Sequence, residues 1–360
     1  MAVGTVTRTP WWAWAWPLVA WAVLGLQLVV RGNPLITALE AFALIATVFA
    51  AVYHAEVVAH RVGEPFGSLV LALAVTIIEV ALIVSVMITS GAEASGLARD
   101  TVFAAVMIVC NGIVGLCLLA GGVRHREQGF QLQGANAALS VLIALTTLTM
   151  IFPNVTISSQ GPTFSPSQLV FAAVVSLVLW GAFVFIQTIR HRDYFLPAGG
   201  NEEHAAPPTN AVALVSSGLL LASLVAVVAL AKALTPALER AVIRAGAPKS
   251  VVGIAIAALV LMPEGLAAFR AARANRLQTS MNLALGSALA SIGLTIPAVV
   301  AVSLAMHTPL TLGLPPKEVV LLIVTLILSQ STLGTGRTTV LQGTVHLVLF
   351  ATFLFLAVVP

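Results

Sequence analysis

Two glutamates lie inside apolar stretches that are long enough to cross a lipid bilayer: Glu79 within residues 66–90 and Glu264 within residues 251–272. A charged side chain at the centre of a bilayer costs about 2.5 kcal/mol on insertion scales, and about 10 kcal/mol or more in simulations. Intramembrane carboxylates therefore face the interior of a helical bundle, where they mark the paths of ions and protons. We expect both glutamates to bind a cation or a proton.

The composition excludes a soluble protein. Of the 360 residues, 59% are hydrophobic and 8% are charged, and the mean hydropathy is +1.04, whereas soluble domains contain about 25% charged residues. The net charge of +4 comes from basic residues between the apolar stretches, an arrangement that indicates membrane topology rather than a nucleic-acid partner. The partner that this composition predicts is the lipid bilayer.

The length of the apolar stretches predicts the fold class. A transmembrane helix needs roughly 20 predominantly apolar residues. Eleven stretches meet this requirement, at about residues 11–30, 35–58, 66–90, 101–121, 136–152, 168–189, 210–233, 250–271, 281–306, 317–333 and 338–358. The sequence therefore predicts an all-α polytopic membrane protein with about eleven transmembrane helices.

The loops predict the orientation and the division of the chain. With the N-terminus in the cytoplasm, the inside loops hold ten arginines and the outside loops hold seven basic residues, which is the bias expected of cytoplasmic loops. The most polar stretch reads as a cytoplasmic linker between two five-helix repeats that follow an N-terminal anchor helix. Because five is odd, the second repeat is inverted, as in many secondary transporters. The predicted boundaries are 1–34 for the anchor, 35–189 for the first repeat, 190–209 for the linker and 210–360 for the second repeat.

Both glutamates are expected near the middle of the bilayer. They lie about 13 and 14 residues into their stretches, roughly 20 Å along a helix axis. A cation and a proton would compete for the same oxygens of Glu79 and Glu264, because desolvation favours the protonated acid and a nearby cation favours the carboxylate. The alternative is that each glutamate is a protonated residue that joins two helices by hydrogen bonds. No arginine or lysine lies at a comparable depth, which disfavours an ion pair.

Neutral oxygen donors accompany the two glutamates. Pro263 directly precedes Glu264, and a proline breaks or kinks a helix and frees backbone carbonyl groups, which are ligands for calcium and sodium. The side chains expected to support the site are Thr76, Asn111, Ser287 and Ser291. The structural alternatives are a plain packing kink at Pro263 and small-residue contacts between helices at the serines.

Three other polar residues in the apolar stretches have different expected roles. His54 and Glu56, near the inner end of the second stretch, are expected to form a cytoplasmic entrance for protons or cations, or else an interfacial cluster that holds the helix end. His346, alone in the last stretch, is interpreted as a packed, neutral residue. The histidines lack the spacing of a zinc or iron site, and the sequence contains no phosphate-binding loop. We therefore expect no enzyme activity, no catalytic residue, no cofactor and no nucleotide.

Two stretches resemble the signature regions of the cation/calcium exchanger superfamily. The first is YHAEVVAHRVGEPFG at residues 53–67, followed by Glu79, and the second is PEG at residues 263–265, followed by Asn275 and Asn282. Within that superfamily the resemblance is to the bacterial ChaA type, which comprises calcium/proton and sodium-potassium/proton antiporters of the inner membrane. It covers most of the chain.

The resemblance implies one helix followed by two sets of five, located in a bacterial inner membrane. It also implies alternating access in which proton influx drives cation export. Glu79 and Glu264 would carry out the exchange, and Glu56 and Asn111 match polar positions of the family.

The residues that precede the first carboxylate bear on the identity of the transported cation. The Gly-Asn pair that precedes the first carboxylate in the family is replaced by Val75-Thr76, which removes an amide oxygen. We expect export of calcium in exchange for protons, and the alternative is a sodium or potassium/proton antiporter that uses the same carboxylates. A passive cation channel and a membrane scaffold without transport activity are more remote alternatives.

Overall fold

A computed structural model describes residues 9–30, 33–63, 66–91, 95–196, 207–246, 248 and 250–359, apart from the side chains of residues 66–69, 71, 72, 89 and 90. Two parts of the predicted organisation lie outside the described residues. They are residues 197–206, which make up half of the predicted linker, and residues 1–8 of the predicted anchor.

Eleven long helices are present in this described part of the chain, and a short 3-10 helix, Arg192–Phe195, follows the sixth of them. They are α1 (Trp11–Val29), α2 (Pro34–Val62), α3 (Phe66–Ser90), α4 (Leu97–His125), α5 (Leu132–Asn154), α6 (Pro166–Arg190), α7 (Asn210–Arg244), α8 (Ser250–Arg273), α9 (Leu277–Met306), α10 (Pro316–Leu333) and α11 (Val340–Val358). Ten are long and apolar enough to cross a membrane, and α3 contains the apolar stretch Leu73–Ile88. The predicted all-α polytopic fold with eleven helices is confirmed.

Three of the helices contain a π-helical segment. These segments are Ile108–Ile113 in α4, Thr147–Ile151 in α5 and Ile186–Arg190 in α6. A helix is required through the bilayer because every backbone N–H and C=O group must be bonded internally there. A short π-helical segment satisfies that requirement while changing the direction of the side chains that follow, and such segments are frequent at functional sites.

Helix α8 runs without interruption from Ser250 to Arg273, through Pro263. Of the two effects expected of Pro263, a break and a kink, the break is therefore absent, and the kink stays a prediction. The proline ring still lacks the N–H that would bond to the carbonyl group of Leu259 one turn earlier, and a membrane helix tolerates this because other groups can satisfy that carbonyl. Pro263 therefore contributes one freed carbonyl group within a continuous helix.

The described residues of Met1–Ser85 and Gly200–Ala241 form one compact unit, which contains α1, α2 and most of α3 and α7. In this unit α1 packs along α2, and the rings of Trp12 and Tyr53 meet edge to face at 5.3 Å. The indole N–H of Trp21 donates a hydrogen bond to a carbonyl oxygen of α7 at 3.3 Å. The tryptophan-rich α1 is thus held by both α2 and α7.

The described residues of Val86–Gly199 and Val242–Pro360 form the second compact unit, which contains α4 to α6 and α8 to α11. Helix α9 packs against α4, α5, α6 and α8, so it is the central helix of this unit. The fully buried side chains of the core include Leu139, Leu142, Leu145, Met281 and Ile292. These units group residues by packing, and the division into repeats predicted from the sequence stays a prediction.

A two-stranded antiparallel ribbon in the second unit connects two interhelical loops. Strand β1 (Glu127–Gly129), between α4 and α5, pairs with β2 (Arg337–Thr339), between α10 and α11. Glu127 lies opposite Thr339. The sequence analysis did not predict the ribbon, because three residues per strand are too few to show an alternating pattern.

Candidate functional site

Helices α4 and α8 pack side by side, and the same number of residues separates two contact points on each helix. A Cβ atom added to Gly253 would lie 3.0 Å from the backbone N of Thr101, and one added to Gly265 would lie 3.1 Å from Cδ1 of Ile113. The stretch from Gly253 to Gly265 thus accompanies the stretch of equal length from Thr101 to Ile113, so the two helices are parallel. Glycine makes this possible because small residues let the backbones of membrane helices approach closely.

This register places Glu264 beside the middle of α4. Glu264 directly precedes Gly265, and Asn111 lies two residues before Ile113. The carboxylate and the amide therefore lie at the same level of two adjacent helices. Glu264 is partly buried and Asn111 is fully buried. Two of the residues predicted from the sequence therefore lie at one level of neighbouring helices within one unit.

Asn111 lies in the π-helical segment of α4 and bonds to two other helices. Its Nδ2 donates to Oγ1 of Thr325 in α10 at 2.9 Å. Its Oδ1 lies 3.1 Å from Nδ1 of His346 in α11, and Nε2 of that ring lies 3.1 Å from Oγ1 of Thr332. All four side chains are at most 2% exposed. A polar network inside the membrane-spanning region therefore joins α4, α10 and α11 at the level of Glu264.

The partners of His346 were not predicted from the sequence. The residue was expected to be packed and neutral, with no role beside the site. The two bonded residues, His346 and Asn111, are 235 positions apart, and no local pattern connects them. The one available signal was that each is an isolated polar residue in its apolar stretch.

The two predicted serines lie on α9, which packs against both α8 and the π-helical segment of α4. Ser291 is buried and Ser287 is partly buried. On another face of α9, a Cβ atom added to Gly293 would lie 2.5 Å from Cβ of Trp180 in α6. The structure thus places the hydroxyl groups of Ser287 and Ser291 on the helix that borders Glu264 and Asn111.

Glu79 and Thr76 lie on α3, within the first unit. They are one helical turn apart and are 2% and 5% exposed, respectively. Burial of an acidic side chain in an apolar helix requires either a proton or a cationic partner, since an isolated charge there is very costly. The burial of Glu79 is therefore consistent with binding of a proton or a cation.

His54 and Glu56 on α2 have different surroundings. His54 is completely buried, and its Nε2 lies 3.0 Å from the carbonyl oxygen of Ala13 in α1. Glu56 is exposed. His54 thus contacts the neighbouring helix, whereas Glu56 is exposed, and their role as an entrance stays a prediction.

The asparagines that contributed to the family resemblance hold helix ends. Asn275 follows α8 with a φ of 60°, and its Oδ1 accepts a hydrogen bond from Nε2 of Gln128 in β1 at 2.9 Å. Gln128 also donates to the carbonyl oxygen of Ala272 at 2.9 Å. Asn282 donates to the carbonyl oxygen of Phe195 at 2.6 Å. These amides therefore bond to backbone and side-chain groups at the C-terminal end of α8 and the N-terminal end of α9.

A cavity with a mostly apolar lining lies at the N-terminal ends of α4, α8 and α10, and the polar residues in its lining are Asp100, Ser250, Lys317 and Glu318. Nη2 of Arg99 lies 2.7 Å from Oδ1 of Asp100. Because α4 and α8 are parallel, this cavity is at the end from which both helices lead to Asn111 and Glu264, about 17 Å along the axis from Asp100. The sequence analysis counted the basic residues here only as loop charges.

Comparison with protein families shows one match over most of the chain. The sodium/calcium exchanger protein family matches residues 33–189 and 215–359. Both compact units, and with them α2 to α11, lie largely within the matched residues.

Individual relatives extend over nearly the whole chain. A protein of Sinorhizobium fredii described as a putative ionic transporter is 50% identical, over 98% of this chain and 97% of its own length. The sodium-potassium/proton antiporter ChaA of Escherichia coli is 36% identical, over 94% of this chain and 93% of its own length. A solved H+/Ca2+ exchanger, CAX, has a similar fold with a TM-score of 0.70, at 14% sequence identity, over 95% of this chain and 88% of its own length.

Proposed function

This chain belongs to the sodium/calcium exchanger protein family, and we propose that it is a secondary-active antiporter that exports calcium in exchange for protons by alternating access. The observation that carries the proposal is the position of Glu264, an acidic residue at the centre of the apolar helix α8, at the level of the buried amide of Asn111. A carboxylate beside a neutral amide oxygen is a donor set for a hard cation.

In this proposal Glu79 and Glu264 are the residues that bind the cation and the proton. Each carboxylate is tolerated in the apolar interior when it is protonated or when it is paired with a cation. Protons that arrive from outside neutralise both acids and release the cation outward. When the binding groups are next exposed to the cytoplasm, the protons leave and a cytosolic cation replaces them.

Neutral oxygens accompany each carboxylate within its own unit. The hydroxyl group of Thr76 accompanies Glu79, and Glu264 is accompanied by the hydroxyl groups of Ser287 and Ser291, the amide of Asn111, and the carbonyl group that Pro263 leaves without its usual donor. His54 and Glu56 remain a proposed cytoplasmic entrance. Transport of this kind makes and breaks no covalent bond, so the protein needs neither catalytic residues nor a cofactor.

We place this multi-pass protein in a bacterial inner membrane, since the similar proteins are bacterial. The charge bias of its loops favours a cytoplasmic N-terminus. The proposed organisation is an anchor helix, a five-helix repeat, a cytoplasmic linker and a second, inverted five-helix repeat. Eleven helices in the described part of the chain match the number that this arrangement requires.

Sodium or potassium is the second candidate for the cation. The Escherichia coli relative at 36% identity is named a sodium-potassium/proton antiporter, whereas the solved structure with a similar fold is named an H+/Ca2+ exchanger. In addition, Val75-Thr76 offers no amide oxygen before Glu79. Both candidate cations would bind the same carboxylates, so a transport measurement with each cation is needed to distinguish them.

The test uses everted membrane vesicles from cells that lack their own cation/proton exchangers. The interior is acidified, calcium, sodium or potassium is added separately, and a pH-sensitive dye reports proton release. We expect release with the wild-type protein and none with Glu79→Gln or Glu264→Gln. The matched control is Glu127→Gln in β1, which removes an acid that is 50% exposed and is expected to leave exchange intact.

Two results would contradict the proposal. If Glu79→Gln and Glu264→Gln both exchange as the wild type does, these residues do not carry out the transport. If radioactive cation enters without any proton movement, the protein is a passive channel.

A further inference from the structure

The side chains around His346 form a network in which the position of each proton can be assigned. Thr325 Oγ1 donates its one proton to the carbonyl oxygen of Leu321 at 2.7 Å, a common bond for a threonine in a helix. The sulfur of Met107, at 3.4 Å, is a weaker acceptor. Oγ1 of Thr325 must therefore accept from Asn111, which identifies the nearer group of Asn111 as its NH2.

This assignment determines the tautomer of the histidine. Because the NH2 group of Asn111 faces Thr325, its carbonyl oxygen Oδ1 faces His346. An oxygen acceptor requires a donor, so Nδ1 of His346 carries the proton. The other nitrogen, Nε2, then accepts from the hydroxyl group of Thr332. A neutral imidazole has one donor and one acceptor nitrogen, and both are used.

The packing holds the ring in this place. A Cβ atom added to Gly115 would lie 2.9 Å from Cβ of His346, and one added to Gly343 would lie 2.4 Å from the backbone N of Leu119. Helices α4 and α11 therefore touch along their backbones just beside the histidine. His346 itself is completely buried, and the backbone of Cys110, next to Asn111, is a further hydrogen-bond partner of its ring.

We propose that His346 is a positioning residue for the cation: its Nδ1–H group fixes the amide oxygen of Asn111, at the level of Glu264, in an orientation that leaves a lone pair for a cation. An amide oxygen has two lone pairs, so Oδ1 can accept from His346 and still bind a cation. Without the ring, the bond from Nδ2 to Thr325 is left to orient the amide, and its oxygen is held less firmly for a cation. This inference rests on the proposed function.

Three substitutions at His346 separate positioning from packing. Asparagine can place an NH2 group near the position of Nδ1, glutamine reaches only the position of Nε2, and leucine offers no donor. Purified variants are reconstituted into liposomes, and the initial exchange rate is measured against cation concentration. His346→Gln and His346→Leu are expected to raise KM about 5-fold or more, the equivalent of a lost hydrogen bond of about 1 kcal/mol, with the maximal rate per folded molecule retained. His346→Asn is expected to restore most of the affinity.

A second measurement does not depend on transport. The 15N chemical shifts of histidine-labelled protein, with the signal of His346 identified by its loss in His346→Asn, report which ring nitrogen carries the proton. We expect the neutral Nδ1–H form. An Nε2–H form, or a doubly protonated ring, would overturn the inference even if every variant were unstable.

The outcomes also separate this inference from the proposed function. Unchanged KM in all three variants, or a loss of maximal rate and thermal stability without a change in KM, would show that His346 only fills space. Thr332→Val, which nearly preserves volume but removes the donor to Nε2, is expected to raise KM by a smaller factor, and a wild-type KM would count against the network. If the wild-type protein exchanges no cation for protons, the proposed function is wrong, and so is this inference, which rests on it.

Discussion

The close contact between α4 and α11 makes Gly343→Ala the most informative single change in the second unit. The alanine Cβ would lie 2.4 Å from the backbone N of Leu119 and 2.8 Å from the carbonyl oxygen of Gly115. Both neighbours are backbone atoms, so no side chain can rotate away. Non-bonded heavy atoms prefer separations of about 3.5 Å, and α11 must therefore move by about 1 Å.

The expected loss of stability follows from two opposing effects. Overpacking of this kind destabilises a protein by about 1–3 kcal/mol, and we expect about 3 kcal/mol here because the obstructing atoms belong to the backbone. Replacing glycine by alanine within a helix stabilises it by about 1 kcal/mol. The net destabilisation is about 2 kcal/mol, which lowers the unfolding midpoint by several °C on the scale of soluble proteins.

The same shift acts on the proposed site. His346 lies three residues after Gly343, and its Nδ1 is 3.1 Å from Oδ1 of Asn111. Moving α11 by about 1 Å lengthens this separation to about 4 Å, beyond the range of a hydrogen bond. We therefore expect KM for the cation to rise about 5-fold, as when that hydrogen bond is lost by mutation.

A thiol-reactive fluorogenic dye can follow unfolding, because the chain has two cysteines, Cys110 and Cys117, and both are free and buried. The control is Gly218→Ala in α7, where an added Cβ would meet no atom within 4 Å, and its midpoint is expected to equal or slightly exceed that of the wild type. A Gly343→Ala protein with the wild-type midpoint and KM would refute the close approach of α4 and α11.

Three further substitutions test the packing and the C-terminal end of α8. Gly253→Ala, whose Cβ would press on the backbone N of Thr101, is expected to lower the unfolding midpoint, whereas Gly265→Ala meets only the flexible end of Ile113; equal effects would contradict the parallel register. Gln128→Leu removes two hydrogen bonds at the end of α8, which costs about 1–3 kcal/mol and should speed amide hydrogen exchange at residues 272–276. Unchanged exchange there would exclude this capping role.

Much of the architecture follows from local properties of the chain. The number of helices was predictable because a membrane helix requires about 20 consecutive apolar residues, and this is a property of neighbouring residues alone. The positions of Glu79 and Glu264 stand out for the same reason, since each is an acid in an otherwise apolar stretch. The predicted site residues on α8 and α4, Glu264 and Asn111, were each identified without knowledge of the other's location.

Only the tertiary structure decided which of these residues meet. The sequence predicted that Pro263 breaks or kinks α8, and only the structure shows that the helix continues through Pro263. Nothing local linked Asn111 to His346, or Gly253 to Thr101, because these contacts depend on the rotation and the axial register of one helix against another. In a soluble protein an apolar face would reveal that rotation, but a membrane helix is apolar on all sides. Its buried face is therefore specified by a few small and polar residues, whose partners appear only once the helices are packed.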